Sequence, residues 1–181
     1  GGTYGWSIDE DTELVNLQNS ILNGEVVTRE PAYYAGGTAA AHSGQDWGNT
    51  YAEVDMSAQH MWYVQNGQVV LETDVVTGEP IPSKITPEGV YSLMWKQPNS
   101  VLVGDINPDT GEPAYRTKVK YWMQVTSSGV GFHDATWQTA FGGTLYQIPG
   151  TGSHGCINMP LDQAGALFNM IEPGTPVIFH W

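Results

Sequence analysis

Asn66-Gly67 stands between two β-rich runs, His60-Met61-Trp62-Tyr63-Val64 and Gln68-Val69-Val70-Leu71. A two-residue hairpin turn needs positive φ at both centres, and Asn-Gly tolerates that best. This pair predicts an antiparallel ribbon. The second arm continues to Val75-Val76 and ends at Thr77-Gly78. More short β-like runs surround it. Tyr51 to Asp55 precedes it. Val90-Tyr91-Ser92-Leu93-Met94-Trp95 follows the turn Thr86-Pro87-Glu88-Gly89. Val101-Leu102-Val103, Val119 to Val125, and Gly129-Val130-Gly131-Phe132 leading into His133 come next, and Val177-Ile178-Phe179 closes the series. Two helical pieces interrupt them. Ala135 to Phe141 predicts a turn or two of helix. Leu161, Ala164, Leu167, Phe168 and Ile171 make one apolar helical face, with Pro160 near its start and Pro173-Gly174 after its end. The expected fold is mainly β with a few short helices, a β-sandwich or partly open barrel.

Residues 1–30 have a different pattern. Ile8-Asp9-Glu10-Asp11-Thr12 offers capping side chains, and Leu14, Leu17 and Ile21 follow at helical spacing before Asn23-Gly24. One amphipathic helix is too little for a core, so 1–30 is expected to be the C-terminal remnant of an upstream domain. Residues 31–49, with Pro31 and several glycines, are expected to be linker, and 50–181 the main domain. The chain begins at Gly1, which leads us to expect a processed or cut form, with room for an N-terminal membrane anchor ahead of it.

Composition narrows the partners. Hydrophobic residues make up 40% of the 181, including seven Trp, which suffices for a core and excludes disorder as the main state. Six basic against 19 acidic residues give a net charge of −13. A phosphate backbone or an anionic bilayer asks for a basic surface, so neither nucleic acid nor a membrane surface is an expected partner. No apolar stretch approaches the roughly 18 residues of a membrane helix.

The chemistry is concentrated in Gly152-Ser153-His154-Gly155-Cys156-Ile157-Asn158. Cys156 is the single cysteine, so no internal disulfide exists. A glycine before a nucleophile lets the backbone turn sharply and a carbonyl approach. Amide N–H groups in such a turn can converge as an oxyanion hole. A thiol also needs a base or a lowered pKa, and His133, at the end of a predicted strand, is the candidate. Two plainer readings compete: Cys156 as an apolar filler, and a zinc site of His133, His154 and Cys156. Ser, His and Gly neighbours make a poor apolar shelf, and structural zinc prefers four ligands with paired cysteines. No metal or cofactor is therefore expected. His42, His60 and His180 are expected to carry no role.

These residues resemble the L,D-transpeptidase (YkuD-type) catalytic domain of bacterial cell-wall enzymes. The resemblance rests on Phe132-His133-Asp134-Ala135 and on Ser153-His154-Gly155-Cys156-Ile157-Asn158. It extends to Thr86-Pro87-Glu88-Gly89, to Val54 through Trp62 and to Gly174-Thr175-Pro176-Val177, covering about Thr50 to Trp181. Tyr4-Gly5-Trp6 and the acidic helix more weakly resemble the end of the peptidoglycan-binding domain that precedes this module in some Gram-positive members. The resemblance implies a catalytic cysteine on a loop before the C-terminal helix. Its reaction would be acyl transfer from a tetrapeptide stem to an acceptor amine, giving 3→3 cross-links. Cys156 would be the nucleophile and His133 the base. The Ser153 carbonyl would orient the imidazole, and the N–H groups of Gly155 and Cys156, with His154, would form the oxyanion hole. Trp122, Trp137 and Tyr146 would stand at the donor channel, with core filling an equal alternative for Trp122. Asn158 would be a further substrate-binding residue; it stands where many members carry Arg, so that arginine's recognition of a carboxylate does not carry over. Implied partners are peptidoglycan stem peptides and, as covalent inhibitors, carbapenems. The implied location is the cell wall, outside the cell. A hydrolase of the same fold and a non-catalytic wall-binding module are the alternatives. Papain- and NlpC-like peptidases place Cys before His, the reverse of this order.

Overall fold

The computed structural model describes residues 8–29, 31–32 and 47–181. Most of the expected linker at 31–49, Tyr4-Gly5-Trp6 and His42 lie outside the described residues. The described residues fall into two compact units, one running from Asn49 to Trp181 and one containing the first helix.

In the smaller unit, α1 (Glu10–Asn23) starts at Asp9, whose carboxylate accepts from the Thr12 N–H at 3.0 Å. It ends at Gly24, which takes the left-handed conformation at φ +66°. Arg29 pairs with Glu13, and the Ala32 N–H donates to the same carboxylate at 2.7 Å. Leu14, Leu17, Ile21 and Leu22 are all exposed. Among the described residues no helix is long and apolar enough to cross a membrane.

The larger unit packs two sheets face to face. One has the strand order β3-β2-β1-β9-β4, from β1 (Tyr51–Asp55), β2 (His60–Gln65), β3 (Gln68–Asp74), β4 (Gly89–Ser92) and β9 (Pro176–His180). The other has the order β5-β6-β7-β8, from β5 (Trp95–Val103), β6 (Arg116–Gln124), β7 (Gly131–Asp134) and β8 (Ile157–Met159). Asn66 and Gly67 turn the β2–β3 hairpin at φ +53° and +78°, as its sequence predicts. Phe132 of β7 and Phe179 of β9 meet across the layers with ring centroids 6.0 Å apart. Val54, Met61, Tyr63 and Ile157 complete a dry core between them. Helix α2 (Leu161–Met170) lays Ala164 and Leu167 on this core, and Phe168 on the Tyr121 ring.

Two local expectations change. The run Val90 to Trp95 is not one strand. The Leu93 N–H bonds the Thr175 carbonyl and the Met94 N–H bonds Gln124 of the other sheet, so the chain changes layers between them. Alternation along a sequence cannot reveal which sheet receives each residue. The segment from Ala135 to Phe141 forms no helix beyond a single Ala135–Gln138 turn, and a 3₁₀ turn follows at Leu145–Gln147. Two β-branched threonines, and Gly142-Gly143 at positive φ, work against helix there. Pro98 sits in β5, an edge strand, where its missing N–H removes no ladder bond on the outer side.

This topology brings distant residues together. β7 runs parallel to β8, with His133 opposite Asn158. The base candidate therefore lies beside the strand that begins immediately after Cys156.

Candidate active site

The Cys156 loop is held from below by the segment after β3. The Ser153 N–H donates to the Thr77 carbonyl at 2.9 Å, and the Glu79 N–H donates to the Ser153 carbonyl at 3.0 Å. The buried Thr86 hydroxyl accepts from the Gly78 N–H at 2.9 Å and donates to the Gly155 carbonyl at 2.8 Å. Gly155 stands at φ +117°, a conformation that L side chains rarely adopt. Gly78 is equally constrained, because a Cβ there would meet the Lys84 carbonyl at 1.9 Å. Glu79 supports the far end: its carboxylate pairs with Lys84 at 2.8 Å and accepts from the Gly150 N–H at 3.1 Å. The Lys84 ammonium, and then the Gly150 N–H, hold that carboxyl below the usual range.

Ser153 folds the loop from inside. Its hydroxyl donates to the Cys156 carbonyl and accepts from the Gly155 N–H at 3.0 Å. The Gly155 N–H, expected in the oxyanion hole, is thus engaged. The N–H groups of His154 and Cys156 have no acceptor among the described residues. Unpaired amide donors beside a nucleophile are what an oxyanion site requires.

His133 is 3% exposed. Its Nδ1 lies 3.0 Å from the carbonyl oxygen of Asp134. A carbonyl only accepts, so Nδ1 carries the proton and Nε2 keeps its lone pair. The expected orienter was the Ser153 carbonyl. That oxygen already accepts from Glu79 in the bridge to Gly78, and the neighbouring carbonyl takes its place. The Asp134 carboxylate points away, accepting from the Lys120 and Tyr121 N–H groups at 2.8 Å each. Burial pushes the imidazole pKa down, against smaller upward pulls from Asp134. Burial pushes the Cys156 thiol up to about 11, partly offset by the Gly131 N–H. The Sγ contacts the Gly129 carbonyl at 3.5 Å. The resting pair is therefore a neutral thiol and a neutral imidazole.

Cys156 and His133 line one cleft of about 450 Å³, shared with Ser153, His154, Trp137 and Asn158. The half-exposed Trp137 ring lies 5.8 Å from the His133 ring. The Asn158 amide donates to the Gln138 carbonyl oxygen, and Gln138 in turn donates to the Thr151 carbonyl at 3.3 Å. Trp122 and Tyr146 are buried outside the cleft wall. Trp122 backs the imidazole at 6.0 Å and leans on Trp95. Tyr146 packs against Trp181 at 6.1 Å. Sequence reasoning missed Tyr115, Leu102 and Thr117, which close the cleft from the β5–β6 hairpin. The Tyr115 ring lies 5.2 Å from the His154 ring, and a Cβ on Gly104 would sit 2.6 Å from it. Burial, and then the Cys156 and Asp105 groups, push the Tyr115 phenol up. The alternation that brings Leu102 and Thr117 inward was readable, but the approach of the hairpin to the loop was not. Among the described residues no group of three or more His, Cys, Asp or Glu side chains is placed to hold a metal ion. His60 pairs with Asp74 at 2.7 Å and His180 with Glu53 at 2.9 Å, both away from the cleft.

Thr86→Val keeps the bulk and leaves two buried partners unsatisfied, a cost of about 1–3 kcal/mol. The expected result is a lower melting temperature and thiol acylation slowed by about tenfold, with both restored in Thr86→Ser. Thermal unfolding and single-turnover kinetics check this; an unchanged rate in Thr86→Val contradicts a role in holding the loop.

The model of the YkuD family, described as the L,D-transpeptidase catalytic domain, matches residues 49–179. A crystal structure of an Enterococcus faecium L,D-transpeptidase mutant superposes with a TM-score of 0.79 at 42% identity, covering 99% of this chain and 67% of that one. The ertapenem-acylated catalytic domain of the Enterococcus faecium L,D-transpeptidase gives 0.61 at 46% identity, covering 73% of this chain and 97% of that one. Among curated proteins, L,D-transpeptidase 1 of Mycobacterium tuberculosis is 30% identical over 126 residues, 67% of this chain and 47% of that protein. The chain thus spans less than half the length of that curated relative.

Proposed function

Because the chain belongs to the YkuD family of L,D-transpeptidase catalytic domains, we propose that it cross-links peptidoglycan by cysteine acyl transfer. The observation that carries this reading is the His133 tautomer. Its Nδ1–H is held by the Asp134 carbonyl and its Nε2 is left as a base in the cleft that Cys156 lines. His133 Nε2 takes the thiol proton as Sγ attacks the carbonyl of the third residue of a tetrapeptide stem. The developing oxyanion is met by the Cys156 N–H, with the His154 N–H beside it. The tetrahedral intermediate collapses to a thioester, and the departing amine of the terminal D-alanine takes the proton from His133. An acceptor amine from a second stem then attacks the thioester. It gives its proton to His133, which returns it to the sulfur, and a 3→3 amide bond remains. Trp137 and Tyr115 form the walls along which the donor stem lies.

The reaction belongs in the cell wall of a Gram-positive envelope, where such cross-links bear on cell shape. Support comes from the likeness to the enterococcal enzyme. The same likeness supports carbapenems as acylating inhibitors, since the relative's catalytic domain has been solved acylated by ertapenem. The test is intact-mass spectrometry after incubation with a carbapenem. One added mass of the intact drug per chain is expected, and no adduct contradicts the reading.

Residues 50–181 are further proposed to be the catalytic domain, with 1–30 the end of an upstream domain and 31–49 a tether. The compact unit from Asn49 onward supports this. A chain begun at Asn49 is expected to melt cooperatively and to form the same carbapenem adduct. Loss of both on truncation places the preceding residues inside the catalytic fold.

A further inference from the structure

The chain has six lysines and arginines. Three are taken up locally: Arg29 by Glu13, Lys84 by Glu79, and Lys96 by Glu172 and the α2 C-terminal carbonyls. The other three, Arg116, Lys118 and Lys120, alternate along β6. Strand periodicity puts them on one face, and all three are exposed. None forms an ion pair or a side-chain hydrogen bond with another described residue. Alternate residues of a strand stand about 7 Å apart, so the three cations make a short, evenly spaced row.

The opposite face of the same hairpin carries Leu102 and Thr117, which line the catalytic cleft. The cationic face borders a second cavity of about 490 Å³, lined by Lys118, Lys120, Asn99, Ser100 and Thr136. Asp134 also borders this cavity, but one of its carboxylate oxygens is engaged by two backbone N–H groups. The other acids of the hairpin, Asp105, Asp109 and Glu112, lie in the loop joining β5 to β6, at the Arg116 end of the row. On the β5 side of this face Val101 and Val103 stand opposite Lys118 and Arg116 and are about half exposed.

We propose that this outer face of the β5–β6 hairpin docks a linear phosphodiester-linked polyanion of the cell envelope, with Arg116, Lys118 and Lys120 each meeting one phosphate. Charge complementarity selects the occupant. In a chain of net charge −13, unpaired cations gathered in one row are the exception. At physiological salt the Debye length is about 8 Å, so distant carboxylates are screened and the local row dominates. A phosphodiester chain with three-carbon spacers repeats its charge on the length scale of the row. Stem-peptide carboxylates, set a disaccharide apart along a glycan, do not. Docking on one face of the hairpin leaves the cleft on its other face free. The docking does not depend on the chemistry in the cleft.

The 181-residue chain is titrated onto immobilised poly(glycerol phosphate). It is also sedimented with wall sacculi before and after hydrofluoric acid has removed their phosphodiester polymers. Three contacts predict a log–log salt slope of about −2. The combined variant Arg116→Gln, Lys118→Gln, Lys120→Gln is expected to lose about two orders of magnitude in affinity. Lys118→Arg with Lys120→Arg is expected to retain binding. Carbapenem acylation at the wild-type rate shows that the neutralised variant is folded, and separates a failure of docking from a failure of the catalytic reading. The single change Lys118→Glu, at an exposed position, provides a second measure of weakened binding. Equal binding by the neutralised variant overturns the proposal. So does no binding by wild type, or undiminished binding to stripped sacculi, which would make the glycan-peptide itself the occupant.

Discussion

Cys156→Ala is expected to form no carbapenem adduct and no cross-linked product, with turnover reduced by roughly four to six orders of magnitude. The sulfur is the only thiol in the chain, and the serine of the loop has its hydroxyl committed to the Cys156 carbonyl and the Gly155 N–H. No second nucleophile can therefore replace it from the same turn. The fold should survive. The side chain is only partly buried, and the hydrogen bond it donates to the Gly129 carbonyl is long at 3.5 Å. A melting temperature within a few degrees of wild type is expected for a change of about 1 kcal/mol or less. Turnover near the wild-type rate in this variant removes Cys156 from the mechanism.

His133→Ala is expected to slow acylation at neutral pH by about 10²–10⁴-fold. The pH profile identifies the cause. In wild type both groups rest neutral, because burial lowers the imidazole pKa and raises the thiol to about 11. As pH falls through the depressed imidazole pKa, His133 takes a proton and can no longer act as base. The wild-type rate therefore drops on the acid side and is level through neutrality. Without the imidazole only the thiolate reacts. With the thiol near 11, its population at pH 7 is about one in ten thousand and grows about tenfold per pH unit. The variant's rate should climb with that slope toward pH 11. A level profile at the wild-type rate would pass the role of base to His154, which is exposed at the cleft against Tyr115.

The elements readable in advance were those with a local cause. Asn66-Gly67 specifies its own turn, α2 shows its apolar face at helical spacing, and β6 reads as a strand from its β-rich composition. Features set by distant partners were not readable. Leu93 and Met94 are adjacent, yet their amides bond to different sheets. The Ser153 carbonyl was free to be assigned to His133 until the bridge to Gly78 claimed it. Thr86 was legible as part of a turn, but its bond to Gly155 reaches across 69 residues of chain. Net charge misled in a similar way. The value of −13 averages over the surface and conceals the row on β6, although Arg116, Lys118 and Lys120 alternate plainly in the chain. In the site, Cys156 and His133 stand out by residue type and context. Tyr115 does not, because nothing near it in sequence marks the cleft that it closes.

The most direct test of cross-linking supplies a purified disaccharide-tetrapeptide as both donor and acceptor and resolves the products by mass spectrometry. Peptidoglycan L,D-transpeptidation predicts a dimer joined between the third residues of its two stems, with one D-alanine released per bond and none formed by Cys156→Ala. Tripeptide and free D-alanine without dimer would make the chain a hydrolase of the same fold, and recovery of the intact tetrapeptide would contradict acyl transfer altogether.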